Sequence, residues 1–205
     1  MIDTESGPAR AHVRPAGAPR AALVLGHGAG GGIEAPDLVA ATEAALECNV
    51  SVALVEQPYR VAGKRSSPSA KRLDPAWIAV VEHLRANELE GLPLVAGGRS
   101  AGARVACRTA AATGAAAVLC LAFPLQPPAR KSGAESPSRL DELEAVTVPV
   151  LVVQGKGDRF GIPPAGAGRE VVLVAGDHSL RKDRAAVAAA VREWLPSAIG
   201  AVALR

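Results

Sequence analysis

The sequence predicts an α/β fold, a mainly parallel sheet of six or seven strands with helices on both faces. Three observations carry this. Apolar runs near 21–26, 51–56, 93–97, 116–122, 149–154 and 170–174 alternate with helix-forming segments near 36–47, 74–89, 101–112, 139–145 and 181–195. Those runs are continuously apolar rather than alternating, as strands covered on both faces by crossover helices must be. The 205 residues are 49% hydrophobic, and a chain of that length buries roughly 70% of its unfolded surface around one core. A single domain over residues 1–205 is therefore expected.

Taken in order, Ala11 to Arg14 leaves room for one strand before the first apolar run, with Pro15-Ala16-Gly17-Ala18-Pro19 as its turn. This would be a reduced amino-terminal hairpin. Leu23-Val24-Leu25 then runs into Gly26-His27-Gly28-Ala29-Gly30-Gly31-Gly32. Glycines let such a loop turn its amides inward, so the Ala29 N–H is a candidate donor to a developing oxyanion. One preorganised donor of that kind is worth about 100- to 1000-fold in rate. As a phosphate cradle the loop lacks the lysine and the serine or threonine of a P-loop, and it departs from the dinucleotide fingerprint at the third glycine. His27 is expected to brace the loop through a hydrogen bond.

The second run is followed by Tyr59, Arg60, Lys64 and Arg65. Arg60, Lys64 and Arg65 either meet an anionic substrate or form a solvated basic loop. The third run ends in Gly98-Arg99-Ser100-Ala101-Gly102 and flows into a helix-forming segment. A serine on a sharp strand-to-helix turn exposes its hydroxyl, which makes Ser100 the candidate nucleophile and the Ala101 N–H the second oxyanion donor. Arg99 and Arg104 flank the turn and are read as salt-bridging to nearby acids.

A serine hydroxyl becomes a good nucleophile only when a histidine takes its proton and a carboxylate fixes that histidine's tautomer. Asp158 follows the strand-like run Val150–Gln154, and His178 follows Val171–Val174. The chain order Ser100, Asp158, His178 is that of the α/β-hydrolases. Asp177 neighbours His178 but is expected to point away from it. Phe123, Leu125 and Phe160 follow strand ends and are expected, with Tyr59 and Arg60, to line an open substrate groove. Roughly two dozen residues separate Phe123 from Val148, too few for a cap domain. His83, beside Glu82 and Arg85 in mid-helix, is read as solvated.

With these residues in place, the chain resembles a small bacterial α/β-hydrolase of the dienelactone-hydrolase-like kind. It is most similar to the group that includes the hydrolase-like domain of testis-expressed and NSL-complex regulatory proteins. The resemblance rests on HGAGGG at His27–Gly32, PYR-x-x-GKR at Pro58–Arg65, GGRSAGARVA at Gly97–Ala106, FPLQPP at Phe123–Pro128, VQGKGDRFG at Val153–Gly161 and GDHSL at Gly176–Leu180. It implies an α/β-hydrolase fold with Ser100 as nucleophile, Asp158 as acid and His178 as base. Dienelactone hydrolases proper use a cysteine nucleophile, where this chain has Ser100. Some relatives are known as parts of larger assemblies.

Composition narrows the rest. No apolar run reaches the ~18 residues that cross a bilayer, and the polar Met1–Ser6 stretch makes no signal peptide, so a cytoplasmic protein is expected. Three cysteines, Cys48, Cys107 and Cys120, suit no disulfide framework. A net charge of +3 and 2% aromatic residues offer no nucleic-acid surface. No cofactor and no metal are implied. The function expected is hydrolysis of carboxylic esters, with thioesters as an alternative, through an acyl-enzyme on Ser100. The partner is a small-molecule ester, and the oligomeric state is not specified. The competing reading is a catalytically silent, hydrolase-like interaction module.

Overall fold

A computed structural model describes residues 1–126 and 137–200. Among these residues seven strands form one sheet: β1 (Arg10–Arg14), β2 (Ala21–Gly26), β3 (Val50–Glu56), β4 (Leu94–Arg99), β5 (Ala117–Leu121), β6 (Val150–Gly155) and β7 (Arg169–Val174). Their spatial order is β1-β3-β2-β4-β5-β6-β7. All neighbours run parallel except β1, which lies antiparallel to β3. The amino-terminal hairpin is thus reduced to one edge strand, which pairs with β3 and not with the sequence-adjacent β2. β7, the opposite edge, is half-exposed, with Leu173 43% exposed. The expectation of fully buried strands holds for β2 to β6, which have neighbours on both sides.

Among the described residues six helices accompany the sheet: α1 (Pro36–Glu47), α2 (Pro58–Val61), α3 (Ala70–Ala86), α4 (Ala101–Thr113), α5 (Leu140–Glu144) and α6 (Arg184–Gly200). The side chains of β2 to β6 alternate between two cores. One is closed by Leu73, Trp77 and Leu84 of α3, Val105 and Cys107 of α4 and Leu143 of α5. The other is closed by Leu38 and Ala41 of α1 and by Val191, Trp194 and Leu195 of α6. Three helices depart from the pattern-based reading. α3 starts a turn earlier and carries Pro75 inside it. α6 continues through Pro196. α2 is a single turn, too short to leave a periodic signal.

Glycines seat α4 against the sheet. A Cβ on Gly98 would stand 2.6 Å from the Gly26 carbonyl oxygen, and one on Gly102 would run into the same carbonyl. Polar contacts fix the other side of α4. Arg104 makes a two-pronged bond to Glu142 of α5. Arg108 reaches both Asp74 of α3 and Glu142. Between β5 and β6, α5 is the one helix among the described residues, and those residues form no cap domain. Residues 127–136 of the linker-like Pro124–Pro137 stretch lie outside the described residues.

Candidate active site

The strand ends of a parallel sheet gather side chains at its carboxyl edge, and there β4 delivers Ser100. The residue has φ 52° and ψ −107°, a conformation that costs a non-glycine residue about 1–3 kcal/mol. Its N–H donates to the Leu121 carbonyl (2.9 Å), so the neighbouring strand holds the turn. Ser100 Oγ–H donates to His178 Nε2 (2.9 Å). His178 Nδ1–H donates to Asp158 Oδ2 (2.7 Å). The imidazole is therefore poised as the tautomer that accepts the serine proton at Nε2.

Asp158 is itself tightly held. Oδ2 also accepts from Gln154 Nε2 (2.8 Å), and Oδ1 accepts from the Phe160 N–H (2.9 Å). Gln154 is fully buried in β6 and donates further to the Phe123 and Gly161 carbonyls. Asp177 faces solvent. The Ser179 hydroxyl and amide both donate to its Oδ1, bonds that hold its carboxyl below the usual range. Phe160 lies edge-on to the His178 ring, with centroids 4.5 Å apart.

A second set of contacts ties the histidine loop to the rest of the site. Arg99 Nη2 donates to the His178 carbonyl (3.0 Å). Its Nε stands 3.0 Å from Oδ2 of Asp37, a fully buried carboxylate in the first turn of α1. Oδ2 has no aligned hydrogen-bond donor, so charge rather than a directed bond holds this pair. Burial pushes the Asp37 carboxyl up, and the Arg99 charge pulls it back only in part. Leu180, fully buried at φ 52°, pins the same loop into the core. The sequence singled out Arg99 but not Asp37 or Gln154. An acid just after Pro36 reads equally well as a helix-terminus residue.

The glycine-rich loop lies against the elbow: a Cβ on Gly28 would come within 3.6 Å of Ser100 Cβ. His27 braces the loop, donating from Nδ1 to the Gly28 carbonyl (2.8 Å) and accepting the Gln57 N–H at Nε2 (3.2 Å). Burial lowers its pKa, which keeps the ring neutral as this pattern requires. The Ala29 carbonyl accepts from the Tyr59 hydroxyl (2.9 Å). The Ala29 N–H meets no backbone acceptor among the described residues. Ala101 opens α4, where the first amides have no intrahelical acceptor and the helix dipole favours negative charge.

The expected groove needs correcting at Phe123. Phe123 is completely buried and belongs to the core shared with α3 and α4, because Ala122 at φ 51° turns the chain inward just before it. Arg60 is half-buried and donates to the Lys64 carbonyl (3.4 Å) of its own loop. Leu125 is half-buried, beside Gly161. A cavity of about 610 Å³ lies instead on the Tyr59 side, between the segment after β3 and the start of α3. Cys107 and Cys120 are buried in the core with their sulfurs 3.4 Å apart. Among the described residues no group of three or more His, Cys, Asp or Glu side chains could hold a metal ion, and no helix is long and apolar enough to cross a membrane.

Fold and site together define an α/β-hydrolase. The chain belongs to the alpha/beta hydrolase domain family, whose match covers residues 19–198. No curated protein sequence matches it significantly. Among solved structures it is similar to Est1E from Butyrivibrio proteoclasticus with ferulic acid bound, at 18% identity over 97% of this chain and 98% of that one, with a TM-score of 0.80. A serine hydrolase without a lid from Xanthomonas campestris gives 21% identity, 95% and 93% coverage and a TM-score of 0.69. Dienelactone hydrolase from Anabaena variabilis gives 15%, 96% and 94%, and 0.73. Likeness at these identities is a likeness of fold.

Proposed function

We propose that this protein is a serine hydrolase that cleaves carboxylic esters through an acyl-enzyme on Ser100. The observation that carries the reading is the unbroken relay Ser100 Oγ–His178 Nε2 and His178 Nδ1–Asp158 Oδ2, at 2.9 and 2.7 Å. In the first half-reaction Oγ attacks the ester carbonyl while Nε2 takes its proton. The oxyanion forms at the Ala29 and Ala101 amides, and the tetrahedral species collapses as His178 returns the proton to the leaving alcohol. Water, deprotonated by the same nitrogen, then releases the acid. Asp158 keeps the tautomer and stabilises the imidazolium. Thioesters fit the same steps, with a thiol leaving. The motifs HGAGGG, GGRSAGARVA and GDHSL support grouping with the hydrolase-like domains of testis-expressed and NSL-complex regulatory proteins, and the intact relay favours an enzyme over a silent module.

Turnover of short p-nitrophenyl esters tests the reading. The wild type should release p-nitrophenol and Ser100→Ala should lose at least about 1000-fold of kcat/KM, as removal of a unit-acting nucleophile does. Equal rates in the two proteins would refute Ser100 as nucleophile.

A further inference from the structure

Four cations, Arg60, Lys64, Arg65 and Arg72, surround the segment between β3 and α3, and none lies within ion-pair distance of a carboxylate among the described residues. Arg99, Arg104 and Arg108, by contrast, are all paired. Two of the four, Lys64 and Arg72, line the cavity of about 610 Å³ together with Gln57, Tyr59, Ser66 and Ser67. That volume is typical of a small-molecule site. Its one carboxylate is Glu5, so the local charge stays positive.

The cavity shares wall residues with a second, smaller space beside the elbow. Gln57, Tyr59 and Leu73 also line a space of about 10 Å³ that touches Ala101 and Gly102 of the elbow. Tyr59 additionally holds the Ala29 carbonyl, and burial raises its phenol pKa, keeping it a neutral donor. At this junction Gln57 Oε1 and Trp77 Nε1 are buried without any hydrogen-bond partner. An orphaned acceptor and an orphaned donor are costly unless water or a ligand satisfies them.

We infer that this cavity is an anion-recognising subsite of the same active centre. It takes the carboxylate or phosphate of an ester that bears its negative charge several bonds from the scissile carbonyl. The inference rests on the esterase reading for its link to Ser100. Charge-assisted hydrogen bonds from Lys64 and Arg72, supported by the serine hydroxyls, supply the recognition.

Two matched ester pairs and one binding measurement test it. The acyl-side pair is mono-p-nitrophenyl glutarate against p-nitrophenyl valerate, and the alcohol-side pair is acetylsalicylate against phenyl acetate. At low salt the charged member of at least one pair should show a KM about tenfold below its neutral counterpart, the size of one charge-assisted contact at a half-open site. The ratio should fall towards one in Lys64→Gln/Arg72→Gln and in high salt. Independently, calorimetry on Ser100→Ala should detect glutarate or inorganic phosphate binding that the added Lys64→Gln/Arg72→Gln pair removes, and it shows which anion is preferred. Absence of both preference and binding, or their survival in the double variant, overturns the subsite. Binding without turnover of any ester would instead keep the subsite and sink the esterase reading.

Discussion

At the scale of single residues, the Ser100–His178–Asp158 relay is braced by contacts outside it. Arg99 spans the Asp37 carboxylate, the His178 carbonyl and the edge of Gly28. Removing one partner of a buried ion pair leaves the other charge uncompensated, at about 3–5 kcal/mol. Arg99→Gln should therefore lower unfolding stability by about 3 kcal/mol in urea titrations, and Asp37→Asn added to it should restore part of that loss. Equal stability of Arg99→Gln and wild type would show that Asp37 is held otherwise. His27 gives a pH signature of known sign. Its folded pKa lies below the unfolded value of 6.5 because burial penalises the charged ring. The stability linked to it is present above pH 6.5 and is lost as the pH falls from there through the folded value. The Tm difference between wild type and His27→Gln should shrink on acidification from pH 7 to 5. Asp37, shifted up by burial, opposes this trend in both proteins and cancels in the comparison.

Among elements, the junction of β2, β4 and α4 sets the tolerance of the elbow. Gly26, Gly98 and Gly102 bring two strands and a helix to backbone contact, and at Gly98 and Gly102 the atom that a Cβ would strike first is the Gly26 carbonyl oxygen, which cannot swing aside. Gly102→Ala should destabilise the fold by about 3 kcal/mol, at the upper end of overpacking costs, read as a lowered denaturation midpoint. A variant as stable as wild type would show that α4 can slide outward. Elements and chemistry were unequally legible in the sequence. Ser100, Asp158 and His178 stand after long apolar runs, so period and chain order brought out all three. Gln154 looked like the tail of a strand, and Asp37 like a helix-terminus acid, because neither carries a sign of its distant partner. Phe123 was misplaced for a local reason: the positive φ of Ala122 sends it into the core, and alanine gives no warning of such a turn.

Across the whole molecule, helices cover both faces of the sheet, and no cap domain covers its carboxyl edge among the described residues. Parallel order and two cores follow from continuous apolar strands, which is why the fold class was readable throughout. The cavity beside Tyr59 was not, since the end of β3, a basic loop and the first turn of α3 build it without any periodic signal. The proposed ester hydrolysis depends on covalent chemistry at one atom, Ser100 Oγ. A fluorophosphonate probe needs an activated serine and forms a stable adduct on it, so peptide mapping of the labelled protein by mass spectrometry reads the nucleophile directly. The expected adduct lies on Ser100 and vanishes in Ser100→Ala, while Cys107→Ala and Cys120→Ala still label. Folded wild-type protein that takes up no probe, or carries it on another residue, would contradict the account.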